Sequence, residues 1–187
     1  AMAATAAGLA LDPEKPPALK LDALAQFRGV KRRQEVLYRD DRVTVIEDFA
    51  HHPTAVAETL QSFRSRFPGA TITALFEPRS NTACKKVMQA GFTRAFGFAD
   101  EVYLGPVHRP EKYAPEDRFD PEAVAQHLET QGVEAHIAPS NLALYDKLLA
   151  HTTSPAARAK PRVVTFFSNG SFDGIIGKYV AAVKSLM

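Results

Sequence analysis

Three runs of polar and ionisable residues each follow directly on an apolar run. Val43 to Glu47 leads into Asp48-Phe49-Ala50-His51-His52-Pro53, Thr71 to Phe76 leads into Glu77-Pro78-Arg79-Ser80-Asn81-Thr82, and Val163 to Phe167 leads into Ser168-Asn169-Gly170-Ser171. Together they supply carboxylate, imidazole, guanidinium, amide and hydroxyl groups. A planar Arg suits phosphate or carboxylate through paired, charge-assisted hydrogen bonds. The N–H groups of a helix that follows such a run favour anions in the same way. Taken singly, Asp48, Ser80 and Ser168 are also the residue types preferred as helix N-caps. Three such runs, each at the end of a strand-like segment, point to a shared site for an anionic or peptide ligand.

Other tempting features carry less. His51 and His52 are adjacent, so on an extended segment their side chains diverge; with no Cys or further His at ligand spacing, no metal is expected there. Arg32 and Arg33 beside Glu35 read as a solvated strand face, and Lys85-Lys86 as the exposed face of a helix. Gly170 to Tyr179 follows a strand and contains Gly177-Lys178, but Gly170 and Gly177 are too far apart for a phosphate loop, and Tyr179 stands where Ser or Thr is required. Gly170 and Gly174 are read as allowing a turn and close helix packing.

These residues need elements to position them. Gln34 to Arg39 and Val43 to Glu47 read as a hairpin closed by Asp40-Asp41. Val56, Leu60, Phe63 and Phe67 fall on one helical face, with Pro53 in the first turn. A strand at Thr71 to Phe76, a helix from Thr82 to about Phe92, a strand at Glu101 to Leu104 and a loop over 106–119 follow. Asp120-Pro121-Glu122 opens a helix that Gly132 stops. Glu134 to Ala138 is a strand, Asn141 to His151 a helix, and 152–161 a linker. Val163 to Phe167 is the most apolar strand, and Phe172, Ile175, Ile176, Tyr179, Val180 and Val183 form the buried stripe of a final helix. This alternation predicts an α/β fold: a Rossmann-like, doubly wound, mostly parallel sheet with an N-terminal β-hairpin at its edge. Ligands of such sheets bind beyond the carboxyl ends of the strands, where the three polar runs lie.

Composition bounds the class. The chain has 187 residues, 45% of them hydrophobic, and 23 basic against 21 acidic residues give a net charge of +2. That is one domain's worth of core, with no basic tract of the kind nucleic-acid binding uses and no apolar run long enough to span a bilayer. Cys84 is the single cysteine, so no disulfide forms within the chain and a reduced, cytoplasmic setting is the expectation. Ala3 to Leu11 reads as a truncated helix after an Ala-Met start, and Asp12 to Pro17 as a linker that two adjacent prolines keep from being helical.

Asp48-Phe49-Ala50-His51-His52-Pro53-Thr54 resembles the D-[YF]-[AG]-H-H-P-T segment of the Mur ligases, ATP-dependent enzymes that add amino acids to the UDP-muramic acid precursor of peptidoglycan. Phe27-Arg28-Gly29-Val30-Lys31-Arg32-Arg33-Gln34-Glu35 resembles the F-x-G-V-x-R-R-x-E opening of their C-terminal domain. The resemblance implies a division into 1–20, a stub of the central domain's last helix with its linker, and 21–187, the C-terminal domain. Glu77-Pro78-Arg79-Ser80-Asn81-Thr82 and Ser168-Asn169-Gly170-Ser171-Phe172 resemble the family's recycling branch, which joins L-alanyl-γ-D-glutamyl-meso-diaminopimelate to UDP-N-acetylmuramate. The alanine-adding branch is the alternative, expected to carry His-Arg-Tyr-Thr-Arg where Arg79 to Ala83 stand. A free-standing nucleotide- or peptide-binding module is a further alternative, which the truncated first helix disfavours.

By this resemblance Arg33 would contact the ATP phosphates and Asp48 the ribose, while His51, Arg79, Ser80, Asn81, Ser168 and Asn169 would face the incoming peptide. The reaction would pass through an acyl phosphate that the peptide amine attacks, chemistry that relies on positioning and charge stabilisation. The phosphate loop and the Mg²⁺ ligands would belong to the central domain. Partners would be UDP-N-acetylmuramate, the murein tripeptide and the protein's own central and N-terminal domains. The 187 residues alone are expected to be inactive.

Overall fold

The computed structural model describes residues 29–186. The chain divides into two compact units, Ala1–Val30 and Lys31–Met187, and the second carries all the strands and helices of the described residues. The expected truncated helix at Ala3 to Leu11 and the proline-rich linker after it lie outside the described residues.

In chain order the elements are β1 (Glu35–Arg39), β2 (Val43–Asp48), α1 (Pro53–Arg66), β3 (Thr71–Phe76), α2 (Gln89–Phe96), β4 (Glu101–Leu104), α3 (Pro121–Thr130), β5 (Glu134–Ile137), α4 (Asn141–Thr152), β6 (Arg162–Phe167) and α5 (Ile175–Ser185). They build the expected α/β fold. The six strands form one sheet in the order β1-β2-β6-β3-β4-β5, parallel except for the antiparallel β1–β2 hairpin at its edge. Asp40 closes the hairpin, its Oδ1 accepting from the amides of Arg42 and Val43.

Strand alternation sends side chains into two cores. Ile46, Ile72, Ala74, Phe76, Val102, Leu104, Val163 and Phe167 pack with α1, α2 and α3, whereas Val45, Leu75, Tyr103, Val164 and Phe166 pack with α4 and α5. A one-residue slip of β6 would exchange its two faces, so burial on both sides fixes the register. The first core is built on phenylalanines, with the Phe76 ring 4.4 Å from Phe92 and 5.3 Å from Phe96 between centroids. Truncating Phe76 to Ala removes a fully buried ring and costs about 3–5 kcal/mol.

Local signals set most helix starts. Asp120 accepts from the amides of Glu122 and Ala123 at the head of α3, and Ser140 from that of Ala143 at the head of α4. The helix expected from Thr82 starts later. Residues 80–84 fold as turns, Lys85 is extended and bridges Arg118, and a 3-10 turn at Lys86–Met88 leads into α2. Lys85 and Lys86 are exposed, but on this turn rather than on a helix. Phe172 likewise precedes its helix, buried at the start of a 3-10 turn over 172–174. No helix among the described residues is long and apolar enough to cross a membrane.

Candidate functional site

Parallel register brings three strand exits to one level. Asp48 of β2 pairs with Phe167 of β6, which pairs with Phe76 of β3. The ladder runs on past them, since Ser168 N donates to Asp48 O at 3.2 Å and Glu77 N to Phe167 O at 3.2 Å. The polar runs after β2, β6 and β3 are therefore neighbours.

Glu77 is the hub of this edge. Its side chain is only 3% exposed. Oε2 accepts from Ser168 Oγ at 2.5 Å and from Phe172 N at 3.3 Å, and Oε1 from Asn141 Nδ2 at 3.1 Å and Arg79 Nη1 at 3.2 Å. A buried carboxylate is costly unless paired and fully hydrogen-bonded, and four donors meet that need. They come from the β3 exit, the β6 exit, the turn before α5 and the first residue of α4, so one carboxylate ties four segments together.

Arg79 crosses the loop after β6. A Cβ on Gly170 would fall 2.1 Å from Arg79 Cδ, so the guanidinium stem lies where any side chain at 170 would begin. Arg32 braces the same loop from the other strand, donating to Ser168 O at 2.8 Å and to Gly170 O, while its Nε pairs with Glu47 at 2.7 Å. Phe172 and Asp173 both take positive φ, 48° and 49°, a strained geometry that clusters at functional turns. Asp173 is held there by Asn141 Nδ2 at 2.9 Å. Gly174 adopts φ 81° and opens α5.

Beside this loop, both oxygens of Asp48 are engaged by backbone, Oδ1 by Ala50 N and Oδ2 by Gln34 N. Asp48 and Arg33 line one open cavity of about 350 Å³ together with Gln34, Ala50, Glu58 and Thr59. The Arg33 guanidinium lies 5.2 Å from the Phe49 ring centroid, where a cation is favoured. A fixed carboxylate with lone pairs to spare and a guanidinium on an aromatic ring are a donor set that fits a nucleotide's ribose and phosphates.

The plain structural readings divide. Asp48 does not cap α1; His52 does, its Nδ1 accepting from Thr54 N at 3.4 Å. Ser80 Oγ accepts from Ala83 N within a turn, and Ser168 hydrogen-bonds Glu77 and Gly170 N instead of a helix. Arg32 is not part of a solvated strand face: it precedes β1, at φ 58°, and its guanidinium is committed to Glu47 and the 168–170 loop. Arg33 is exposed. His51 Nδ1 contacts Phe49 O at 2.9 Å, Asn81 reaches toward Tyr113 in the 106–119 loop, and the buried Oδ1 of Asn169 has no partner among the described residues. Gly177-Lys178 lies inside α5 rather than in a phosphate loop.

Sequence reasoning gave Glu77 and Asn141 no role of their own and took Arg32 for a solvated strand face. Glu77 was visible as a carboxylate continuing the wholly apolar end of Thr71 to Phe76, where a charge must find partners. Asn141 follows Ser140, and since one residue suffices as cap, the second amide was available for other work. Two nucleophilic side chains at this edge are withdrawn from solvent. Burial pushes the Cys84 thiol up, leaving it protonated and donating to Pro78 O, and the Ser168 hydroxyl is 2% exposed. What this edge can do is bind and orient.

Residues 32–166 match the family described as Mur ligase, glutamate ligase domain. The chain belongs to that family. It is 34% identical over 161 residues, 85% of its length, to the UDP-N-acetylmuramate–L-alanyl-gamma-D-glutamyl-meso-2,6-diaminoheptandioate ligase of Escherichia coli, and 31% identical over 147 residues, 79% of its length, to the UDP-N-acetylmuramate–L-alanine ligase of Desulfitobacterium hafniense. It spans 32% of each of these relatives, about a third of their length. Among solved structures, the UDP-N-acetylmuramate-alanine ligase of Thermotoga maritima shares the fold, with a TM-score of 0.69 over 96% of this chain and 36% of that one at 23% identity. The MurF ligase of the same organism, solved with ADP, shares it at a TM-score of 0.59 over 96% of this chain and 37% of that one, at 13% identity. In this Mur ligase domain the expected fold and family are thus both found.

Proposed function

We propose that this chain is the substrate-binding and lid domain of an ATP-dependent, cytoplasmic ligase that joins L-alanyl-γ-D-glutamyl-meso-diaminopimelate to UDP-N-acetylmuramate in peptidoglycan recycling. The observation that carries the reading is Arg79, laid across Gly170 and anchored by Glu77, at the end of the sheet where the family's ligands would enter. A peptide with several carboxylates needs such a fixed guanidinium, with Ser80, Asn81, Ser168, Asn169 and His51 as further polar groups around it. The shared cavity of Arg33 and Asp48 supports their assignment to the ATP phosphates and ribose. ATP and Mg²⁺ would be held mainly by a central domain; bound ATP supplies the phosphoryl group that activates the muramoyl carboxylate, and the residues of this chain orient the peptide amine and balance charge.

The alanine-adding reaction is the second reading, favoured by the similarity to ligases of that specificity. Steady-state assays of the full-length protein separate the two. Turnover with tripeptide and not with free L-alanine is expected; the reverse preference would assign the alanine reaction. Within the tripeptide reading, Arg79→Ala should raise the peptide KM by roughly 10–100-fold, the loss of a hydrogen bond to a charged group. Unchanged peptide kinetics would remove Arg79 from the site.

A further inference from the structure

A second cluster of titratable groups stands at the opposite edge of the sheet, where β4, β5 and β6 begin. From it we infer that Glu134, His136 and His151 form a binding site for one divalent transition-metal ion of the zinc class. Glu134 and His136 are two apart on β5, so they project to the same face, the one that α4 covers, and His151 comes from the last turns of α4. One donor atom from each lies within 4.8 Å of the others. Glu134 Oε1 is 3.1 Å from His136 Nε2 and 3.8 Å from His151 Nδ1. Donors at tetrahedral zinc bond lengths stand about 3.3–3.5 Å apart, so small side-chain adjustments close the site.

Two details favour a metal over an ion pair. His136 Nε2 is buried and makes no hydrogen bond, although the carboxylate is 3.1 Å away, so the two donors lie side by side rather than aimed at one another. His151 presents its other nitrogen, Nε2, to Glu101 Oε1 at 3.2 Å. Glu101 is itself fixed through Oε2 by Arg162 and by Thr73 Oγ1, the latter at 2.8 Å. A carboxylate behind a histidine holds the proton on the far nitrogen and frees the near one as a ligand, the usual outer partnership of a metal-bound imidazole. The Tyr103 ring, 4.4 Å from that of His136 between centroids, fixes the second imidazole.

The charges also suit a cation. Arg162 offsets Glu101, whereas Glu134 has no Lys or Arg partner among the described residues. Two imidazoles and one carboxylate select zinc-class ions over Mg²⁺ or Ca²⁺, and the Glu134 side chain is 52% exposed, so water completes the fourth position. The ion would pin the sheet's last strand, held on one side by β4 alone, to α4.

Zn²⁺ titrated into the full chain by calorimetry, with Co²⁺ absorption as a second probe, tests the site. One ion per chain is expected, with a rise in melting temperature. Glu134→Gln and His136→Gln should each weaken binding by at least the roughly 10–100-fold that losing an outer partner costs, and abolish the rise. His127→Gln, on the exposed side of α3, should change neither. Glu134 is surface-placed, so its variant folds even if the histidine variant does not. Absence of Zn²⁺ binding, or affinity unchanged in Glu134→Gln, overturns the inference.

Discussion

Glu77 satisfies donors from four segments, and that makes its removal informative. Glu77→Ala strands the buried Ser168 hydroxyl, the Asn141 amide and the Phe172 N–H together. Each unpaired group carries a desolvation penalty of about 1–3 kcal/mol, so urea denaturation should show a loss of at least about 3 kcal/mol. Gly170 allows a finer test at the same place. Gly170→Ala sets a methyl group 2.1 Å from Arg79 Cδ, so the guanidinium must leave its track while its charge remains. The full-length protein with this substitution is expected to show a peptide KM raised as in Arg79→Ala and an ATP KM that does not move. A normal peptide KM would mean that the position of Arg79, and not merely its charge, is irrelevant to the ligand.

At the scale of elements, the hairpin edge depends on one carboxylate. Burial raises the Asp40 pKa, but the Val43 and Arg42 amides and the Tyr38 hydroxyl outweigh it and hold the carboxyl below its usual value. A folded-state pKa below the unfolded one gives stability that is present above the unfolded pKa and fades as pH falls through the folded one. Asp40→Ala should therefore cost about 1 kcal/mol at neutral pH, and thermal melts should show the difference from wild type shrinking as pH falls below the ordinary aspartate value of about 3.9. The elements themselves were largely legible in the sequence, because the inner strands alternate between two cores and Asp120 and Ser140 mark helix starts with side chains that do cap. The start of α2 was not. Nothing near Thr82 announces that Lys85 will pair with Arg118 and that Cys84 O will accept from Phe119 N, long-range bonds that keep residues 80–85 out of a helix. Glu77 shows the same limit for the site: its place after β3 was readable, but its donors from α4 and from the turn before α5 exist only in the fold.

Across the whole molecule, the two proposed sites lie at opposite ends of the parallel strands of one sheet, which keep them apart. The lower edge is anchored by the buried Arg162–Glu101 pair, and the upper by Glu77. The upper edge presents two separable surfaces, the Arg79 track across Gly170 and the Arg33–Asp48 cavity, with Arg32 committed between them to Glu47 and the 168–170 loop. Because the chain spans about a third of its relatives and carries no phosphate loop in its sequence, it would supply only part of each ligand's surroundings. The 187 residues alone should then show no ATP-dependent ligation by coupled phosphate release, whereas a full-length protein that acts as proposed should show it. In that protein Arg33→Ala should raise the ATP KM by roughly 10–100-fold, the loss of a charge-assisted bond, while the peptide KM stays within error. Paired with Gly170→Ala, which should do the opposite, this gives a double dissociation. If both substitutions instead moved both constants together, the two surfaces would form one site, and the division of labour drawn from the strand exits would be wrong.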